Sequence, residues 1–372
     1  MGGALAAQQS DLPEPIRKLK PMLDGVEPIT GAERAARVEK ARRLMRGHKM
    51  SAIYLESGAS MYYFTGRREP GQAWILPVKG EAAWVSAEAA KAAQALRDLG
   101  IVTGGVGMEE QVRFATYDGL RREAPALEAV SATPVTAGCR TIKSPAEIAL
   151  MQRANDITIE AYKAALATMR EGMSQRDLGA NISAAFRALG VGGAAMAIFG
   201  KYTAFPHGSI QPQQLREGDM VLIDDGCSVE GYQSDITRTT VFGKPTQRQR
   251  EVWDLERRAQ DAAFAAAKPG ATCESVDAAA RKVITDAGFG PGYKTPGLPH
   301  RTGHGIGLDG HEWTNLVKGN QTRIEPGMCF SDEPTIAIYG EFGVRLEDCL
   351  HITESGPRMF TKQSPAIDQP FG

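Results

Sequence analysis

Two pairs of acidic residues stand symmetrically about two turns in the C-terminal half of this 372-residue chain, and that symmetry constrains its fold more than any other feature. Asp224 lies in VLIDDG and Asp235 in GYQSDITRT, so a hairpin centred on Val229 and Glu230 would set the two carboxylates face to face. Glu333 in DEPTIAIYG and Glu347 in GVRLEDCLHIT are related in the same way about Gly340. Directly opposed residues have Cβ atoms about 5 Å apart, and like charges so placed destabilise a sheet. Two such pairs in one region need compensating positive charge. With His304 as a neutral imidazole, the four carboxylates carry about four negative charges, which two divalent cations roughly 3.5–4 Å apart would neutralise.

Taken singly, each acid is weak evidence, because an acid in a strand ordinarily marks a solvated face or an ion pair. Asp225, Asp332 and Asp348 each adjoin one of the four. Strand alternation sends such neighbours to opposite faces, and register alone does not say which of each pair turns inward. The symmetric spacing favours Asp224, Glu333 and Glu347. Histidine distribution adds weight: five of the six lie between positions 207 and 351, beside the acids. LPHRTGHGIGLDGHE holds His300, His304 and His311 among glycines that let backbone approach a ligand closely. Those glycines do not make a phosphate loop, since no strand-to-helix pattern surrounds them and no lysine follows.

Charge and cysteine content exclude other classes. With 43 basic and 44 acidic residues, the net charge of −1 offers no footprint for nucleic acid or a membrane surface. Five scattered cysteines without a CxxC pair indicate neither a disulfide framework nor a thiolate zinc site. No apolar run approaches the ~18 residues of a membrane span, so a soluble protein, cytoplasmic or periplasmic, is expected. Residues 1–7 contain Ala4-Leu5-Ala6, similar to the cleavage site of an export signal but without a basic n-region; a trimmed signal or a flexible terminus are the two readings.

The length calls for two domains. After a flexible 1–28, the first (29–140) opens with a capping box at Thr30 and Glu33 and continues as strands near 52–55, 73–78 and 82–85, a helix over 87–99, and a further strand and helix, an α/β unit. The boundary falls in the polar, turn-like Thr136 to Lys143. The second domain (141–372) begins with Ser144, Pro145 and Glu147, which predict a helix to about Arg170. Further helices near 175–189, 247–267 and 274–287 alternate with strand-rich 192–242 and 297–353. That pattern reads as α+β, helices on an antiparallel sheet whose other face carries the acids.

These residues resemble the motifs of the pita-bread metallopeptidases, in particular the aminopeptidase P and prolidase branch, with creatinase as a metal-free relative. The resemblance covers nearly the whole chain and implies a creatinase-like α/β N-terminal domain before an α+β pita-bread catalytic domain. The DxG acid is Asp224, the SDxTRT acid Asp235, the GHGIG histidine His304, the EP acid Glu333 and the RxED acid Glu347. By the resemblance, Asp235 and Glu347 bridge two divalent ions per subunit, Asp224 binds one, and His304 and Glu333 bind the other. The oxygen-rich set suits Mn²⁺, with Zn²⁺ or Co²⁺ as alternatives. His207 in TAFPHGS and His311 in GLDxHE would lie beside the scissile bond, and His300 and Arg345 around the prolyl end.

The implied reaction is hydrolysis of the bond between an N-terminal residue and proline, by a homodimer, with Glu333 as general base and proton shuttle. Arg345 would take the free carboxylate of a dipeptide. Two departures bear on substrate and rate: Ala337 stands where many relatives have tyrosine, and the N-terminal domain is short after YFTGRR and before GVGMEEQVRF. Since fold does not fix reaction, the alternatives are a same-fold enzyme resembling a dimethylsulfoniopropionate lyase or an amidinohydrolase, and a non-catalytic binding protein, against which the five intact ligands speak.

Overall fold

The structure, a computed structural model, describes residues 12–371 and divides into two compact units, one of Ile29–Ile142 and one of the segment before Ile29 together with Lys143 onward. A helical turn, α1 (Glu14–Arg17), opens the described chain and buries Ile16 completely. The stretch read as a flexible terminus is therefore docked in its described part: Met22 N donates to Leu189 O (2.9 Å) and Arg153 Nη1 to Met22 O (2.7 Å). Residues 1–7, compared above with an export signal, lie outside the described residues.

The Ile29–Ile142 unit runs α2 (Gly31–Gly47), β1 (Met50–Glu56), α3 (Ala59–Thr65), β2 (Gln72–Pro77), β3 (Ala83–Ser86), α4 (Ala89–Asp98), β4 (Gly104–Met108), α5 (Phe114–Glu123), β5 (Leu127–Ser131) and α6 (Thr133–Arg140). Thr30 caps α2, its hydroxyl accepting from Glu33 N at 3.1 Å. The five strands form a mixed sheet in the order β3-β2-β1-β4-β5, parallel where β4 meets β1 and β5. Its core gathers Tyr54, Ile75, Leu96 and Val106. One expectation is corrected: Thr136 to Arg140 is not a turn but the body of α6. Val135 and Cys139, one helical turn apart, are both fully buried, and that apolar stripe holds the segment helical.

The second unit starts with α7 (Pro145–Leu166) behind the Ser144–Glu147 capping box. It ends before the expected Arg170, as the Thr168 hydroxyl turns back to Ala165 O at 2.6 Å. Then come α8 (Gln175–Ala188), β6 (Gly193–Phe199), β7 (Met220–Val229), β8 (Tyr232–Gln233), β9 (Ile236–Val241), α9 (Gln247–Ala266) and α10 (Cys273–Asp286). The last strands are β10 (Gly303–Gly305), β11 (Glu312–Leu316), β12 (Cys329–Asp332), β13 (Thr335–Ile338), β14 (Phe342–Arg345), β15 (Asp348–Thr353) and β16 (Gly356–Met359). Strand β7 pairs antiparallel with β6, β8 and β9; β11-β10-β12-β15-β16 form a second antiparallel sheet, and β13-β14 a hairpin. Helix α7 packs on β7 and α8 on β6. No helix among the described residues is long and apolar enough to cross a membrane.

Register decides where the acids point. The first hairpin turns on Glu230 (φ 50°) and Gly231 (φ 83°), a left-handed two-residue turn that matches strand twist. Asp224 therefore faces Thr237, not Asp235 as expected. Asp235 shares Thr237's face two residues along, which makes it a diagonal neighbour of Asp224. The second hairpin is as expected: Thr335 faces Arg345 and Asp332 faces Asp348, both symmetric about Gly340.

Candidate metal centre

All the site residues read from sequence line one cavity of about 780 Å³ within the second unit: Asp224, Asp235, His304, Glu333, Glu347, His207, His311, His300 and Arg345. Asp225, Arg301 and Gly310 complete the lining. Glu333 and Glu347 sit where the β12–β15 ladder gives way to the β13–β14 hairpin. There both amides leave the ladder, Glu333 N for Thr302 O (2.8 Å) and Glu347 N for Thr237 O (3.2 Å), and both side chains reach the cavity. His304 is carried by β10, which lies so close to β12 that a Cβ at Gly303 would overlap Ser331 O.

Their acidic neighbours fare differently. Asp348 does not line the cavity but pairs with Arg238 (2.7 Å) and accepts from Gln260 (3.0 Å). Asp332 is fully buried with no hydrogen-bond partner on either oxygen among the described residues, and burial, then Asp348, holds it well above the carboxylate range. Asp225 escapes the alternation rule because its φ of 131° bends the strand and leaves it on the cavity wall. Burial and then the charge of Asp224 push it up to about 6.

Thr237, not singled out in the sequence, joins the acids: its hydroxyl lies 2.7 Å from Asp224 Oδ1 and 2.6 Å from Glu347 Oε2. Arg345 Nε donates to the Thr237 hydroxyl oxygen at 3.0 Å. The signal was available, since Thr237 stands two residues after Asp235 in a strand and so on the same face.

Whether metal suits this set is tested by His304. Its Nδ1 lies 3.0 Å from Gly305 O, an atom that only accepts, so Nδ1 carries the proton and Nε2 the lone pair. Nε2 is 3.2 Å from Glu333 Oε1 and 3.7 Å from Asp235 Oδ2. Those distances would suit an ion pair, but burial, then the charge of His311, pushes His304 down to about 3, so the ring is neutral. A lone pair facing carboxylate oxygens calls for a cation between them. Glu347 Oε1 is buried without a hydrogen-bond partner among the described residues. Burial, then neighbouring carboxylates, holds Asp235 and Glu347 well above their usual range, and burial raises Glu333. Among the described residues, three groups have donor atoms within 4.8 Å of one another and could hold a metal ion: Asp224, Asp235 and Glu347; His304, Glu333 and Glu347; Asp235, His304 and His311. The donor set fits divalent cations.

Around this floor, His207 and His311 are exposed, and the His311 ring meets that of His304 edge-on at 4.1 Å. The loop before His311 is pinned by Glu312, which accepts from Leu308 N (2.8 Å) and pairs with buried Lys143 (3.0 Å). His300 donates from Nδ1 to Arg301 O (2.6 Å) and accepts from Thr335 at Nε2 (2.9 Å); burial, then Arg345, pushes it down to about 3. Arg345 is buried, with Nε on Thr237, Nη1 on Pro206 O (3.0 Å) and Nη2 on Asp224. Ala337 is fully buried, its backbone bridged to Gly297.

Comparison with known proteins gives the family. Residues 149–354 match the profile of metallopeptidase family M24, and residues 37–94 that of the creatinase/prolidase N-terminal domain. An Xaa-Pro dipeptidase of Pyrococcus furiosus is 30% identical over 88% of this chain and 97% of its own length. The crystal structure of a dipeptidase from Pyrococcus horikoshii superposes with a TM-score of 0.81 at 28% identity, over 88% of this chain and 98% of that one. In fold alone the likeness extends to aminopeptidase P of E. coli, with a TM-score of 0.74 at 22% identity over 90% and 95% of the two chains.

Proposed function

Since the chain belongs to metallopeptidase family M24, and is a peptidase with a creatinase-like N-terminal domain and a pita-bread catalytic domain, we propose that it cleaves the bond between an N-terminal residue and proline in dipeptides and short peptides. The observation that carries this reading is the His304 Nε2 lone pair turned on Glu333 and Asp235 beside the unpartnered Glu347 Oε1, a cage for divalent cations at the floor of a peptide-sized cavity. Asp224, Asp235, His304, Glu333 and Glu347 would hold two ions, with Asp235 and Glu347 shared. So many carboxylate oxygens favour Mn²⁺ over softer ions, with Zn²⁺ or Co²⁺ as alternatives. When bound, the ions supply Lewis-acid charge that polarises the scissile carbonyl and acidifies water.

The chain's own residues do the rest. Glu333 takes a proton from the attacking water and delivers it to the prolyl nitrogen. His207 and His311, exposed on the cavity wall, donate to the substrate and to the oxygen on which negative charge develops. Neutral His300, which also lines the cavity, would meet the prolyl end of the substrate, and Arg345 holds Asp224 and Thr237 in place. The same reading takes the protein as a homodimer, which sedimentation velocity tests.

Metal analysis combined with an assay of Xaa-Pro dipeptides, Xaa-Pro-Yaa tripeptides and an Xaa-Ala control tests the proposal. Cleavage of the prolyl substrates with the control poor supports it. A metal-loaded protein that cleaves none of them sinks it.

A further inference from the structure

Between α10 and β10 the chain runs through residues 287–302 without helix or strand, and His300, near the end of that stretch, lines the cavity. Such a segment has no ladder of its own, so its carbonyls need partners from elsewhere. One side chain supplies three of them. Arg281, on α10, donates from Nη1 to Gly292 O (2.8 Å) and Leu298 O (3.0 Å) and from Nη2 to His300 O. Its Nε pairs with Asp277, one turn earlier on the helix, at 2.7 Å. The Tyr293 ring covers the guanidinium, with its centroid 4.2 Å from Cζ.

Asp277 extends the same device. Its Oδ1 accepts from the Thr302 hydroxyl at 2.8 Å, and Thr302 O accepts from Glu333 N at 2.8 Å. The pair therefore holds His300 directly, by its carbonyl, and stands behind Glu333 through Thr302. Both ring nitrogens of His300 are occupied, by Arg301 O (2.6 Å) and the Thr335 hydroxyl (2.9 Å). The ring thus meets a substrate by its shape, and where it stands follows from its backbone. We propose that Arg281, fixed by Asp277, is the positioning residue for His300 and sets the working geometry of that part of the cavity.

The proposal rests on the Xaa-Pro reading for the substrate that His300 meets, and deepens it. The side chains of Arg281 and Asp277 are only 12% and 1% exposed. Desolvating two charges so deeply roughly offsets their attraction, so stability alone is a poor account of the pair. What the guanidinium adds is direction. Its planar fork aims donors at three carbonyls at once, which the compact charge of a lysine does not reproduce. Misplacing a binding group by about 1 Å costs on the order of 10²-fold in rate, so an anchor of this kind is read in turnover.

The test compares the metal-loaded natural protein with Arg281→Lys, His300→Ala and the double variant, using the better cleaved of alanyl-proline and alanyl-prolyl-alanine. Lysine keeps a cation opposite Asp277 and gives up the fork. Arg281→Lys should therefore lower kcat/KM by about 10- to 100-fold at unchanged metal content. If the loss acts through His300, the double variant should be no slower than His300→Ala, so the two losses do not add. Additive losses, or natural activity in Arg281→Lys, overturn the proposal and leave the pair a brace for α10. Amide hydrogen exchange reads the same anchor without substrate. Exchange over residues 288–302 should quicken in Arg281→Lys, and to a smaller degree in Asp277→Asn, while α7 and β7 keep their protection. Unchanged exchange in both variants also overturns the proposal. If the natural protein cleaves neither peptide, the Xaa-Pro reading falls, and the proposal then stands or falls on exchange.

Discussion

One hydroxyl proton cannot serve two carboxylates, yet Thr237 lies within hydrogen-bond distance of both Asp224 and Glu347 while accepting from Arg345. It is a hub that orients the acids on either side. Thr237→Val, nearly isosteric, should weaken metal binding by about 10- to 100-fold, the usual scale for losing a partner of a ligand. Titration against a chelator reads this directly, and unchanged affinity would remove Thr237 from the centre. The acids themselves divide by role. Asp235→Ala and Glu347→Ala should lose bound metal and activity together, because each belongs to two of the donor groups, Glu347 to those of Asp224 and of Glu333, Asp235 to those of Asp224 and of His311. His207→Ala and His311→Ala should keep metal and lose on the order of 10²–10³ in rate, the scale of one transition-state donor. His311 is the sharper case, because it also falls within reach of Asp235 and His304; loss of metal in His311→Ala would make it a ligand.

Elements set the precision with which these side chains meet. The Glu230–Gly231 turn fixes the β7–β9 register, and both residues have positive φ. An L side chain in that region costs roughly 1–2 kcal/mol. Glu230→Asn should raise stability by up to about 1 kcal/mol, whereas Gly231→Val should lower it and slacken the Asp224–Thr237 pairing; urea midpoints measure both. In α9, Glu256 is fully buried, and neither carboxylate oxygen has a hydrogen-bond partner among the described residues. Burial holds its pKa well above the usual 4.5. The folded state therefore keeps a proton that the unfolded state gives up, so stability is greatest below 4.5 and falls as pH rises from there toward the folded value. Glu256→Gln should flatten this decline between acidic and neutral pH. A profile as steep as that of the natural protein would show that Glu256 is already ionised in the fold.

At the scale of the molecule, the chain contributes to the catalytic unit twice, before Ile29 and after Ile142. Ile16, fully buried there, links the early segment to the stability of the metal-binding unit rather than to that of the sheet domain that follows it in sequence. Ile16→Ala should cost about 2–5 kcal/mol, as large-to-small changes in cores do. The transition to watch is the one that metal shifts, because ligands bound only by the native state raise its midpoint with their free concentration. Chelation should lower that transition, Ile16→Ala should move the same one, and a shift confined to the other unit would count against the docking of the early segment.

Local rules carry a long way in this chain. The caps at Thr30 and Ser144, the donor types in each motif and the symmetry of Glu333 and Glu347 about Gly340 are all legible in short windows, because capping and strand alternation act over a few residues. What those windows lack is decided by burial and by partners distant in sequence. The positive φ of Glu230 moved Asp224 opposite Thr237, and that of Asp225 put two adjacent acids on one wall. An apolar stripe made α6 from a segment that looks like a turn. Arg345 and Arg301 are chemically alike in sequence, and tertiary packing alone buried the first against Asp224 and left the second half-buried in the cavity lining, its guanidinium without an ion-pair partner among the described residues, since a charge withdrawn from water must find a partner and a charge left in it need not.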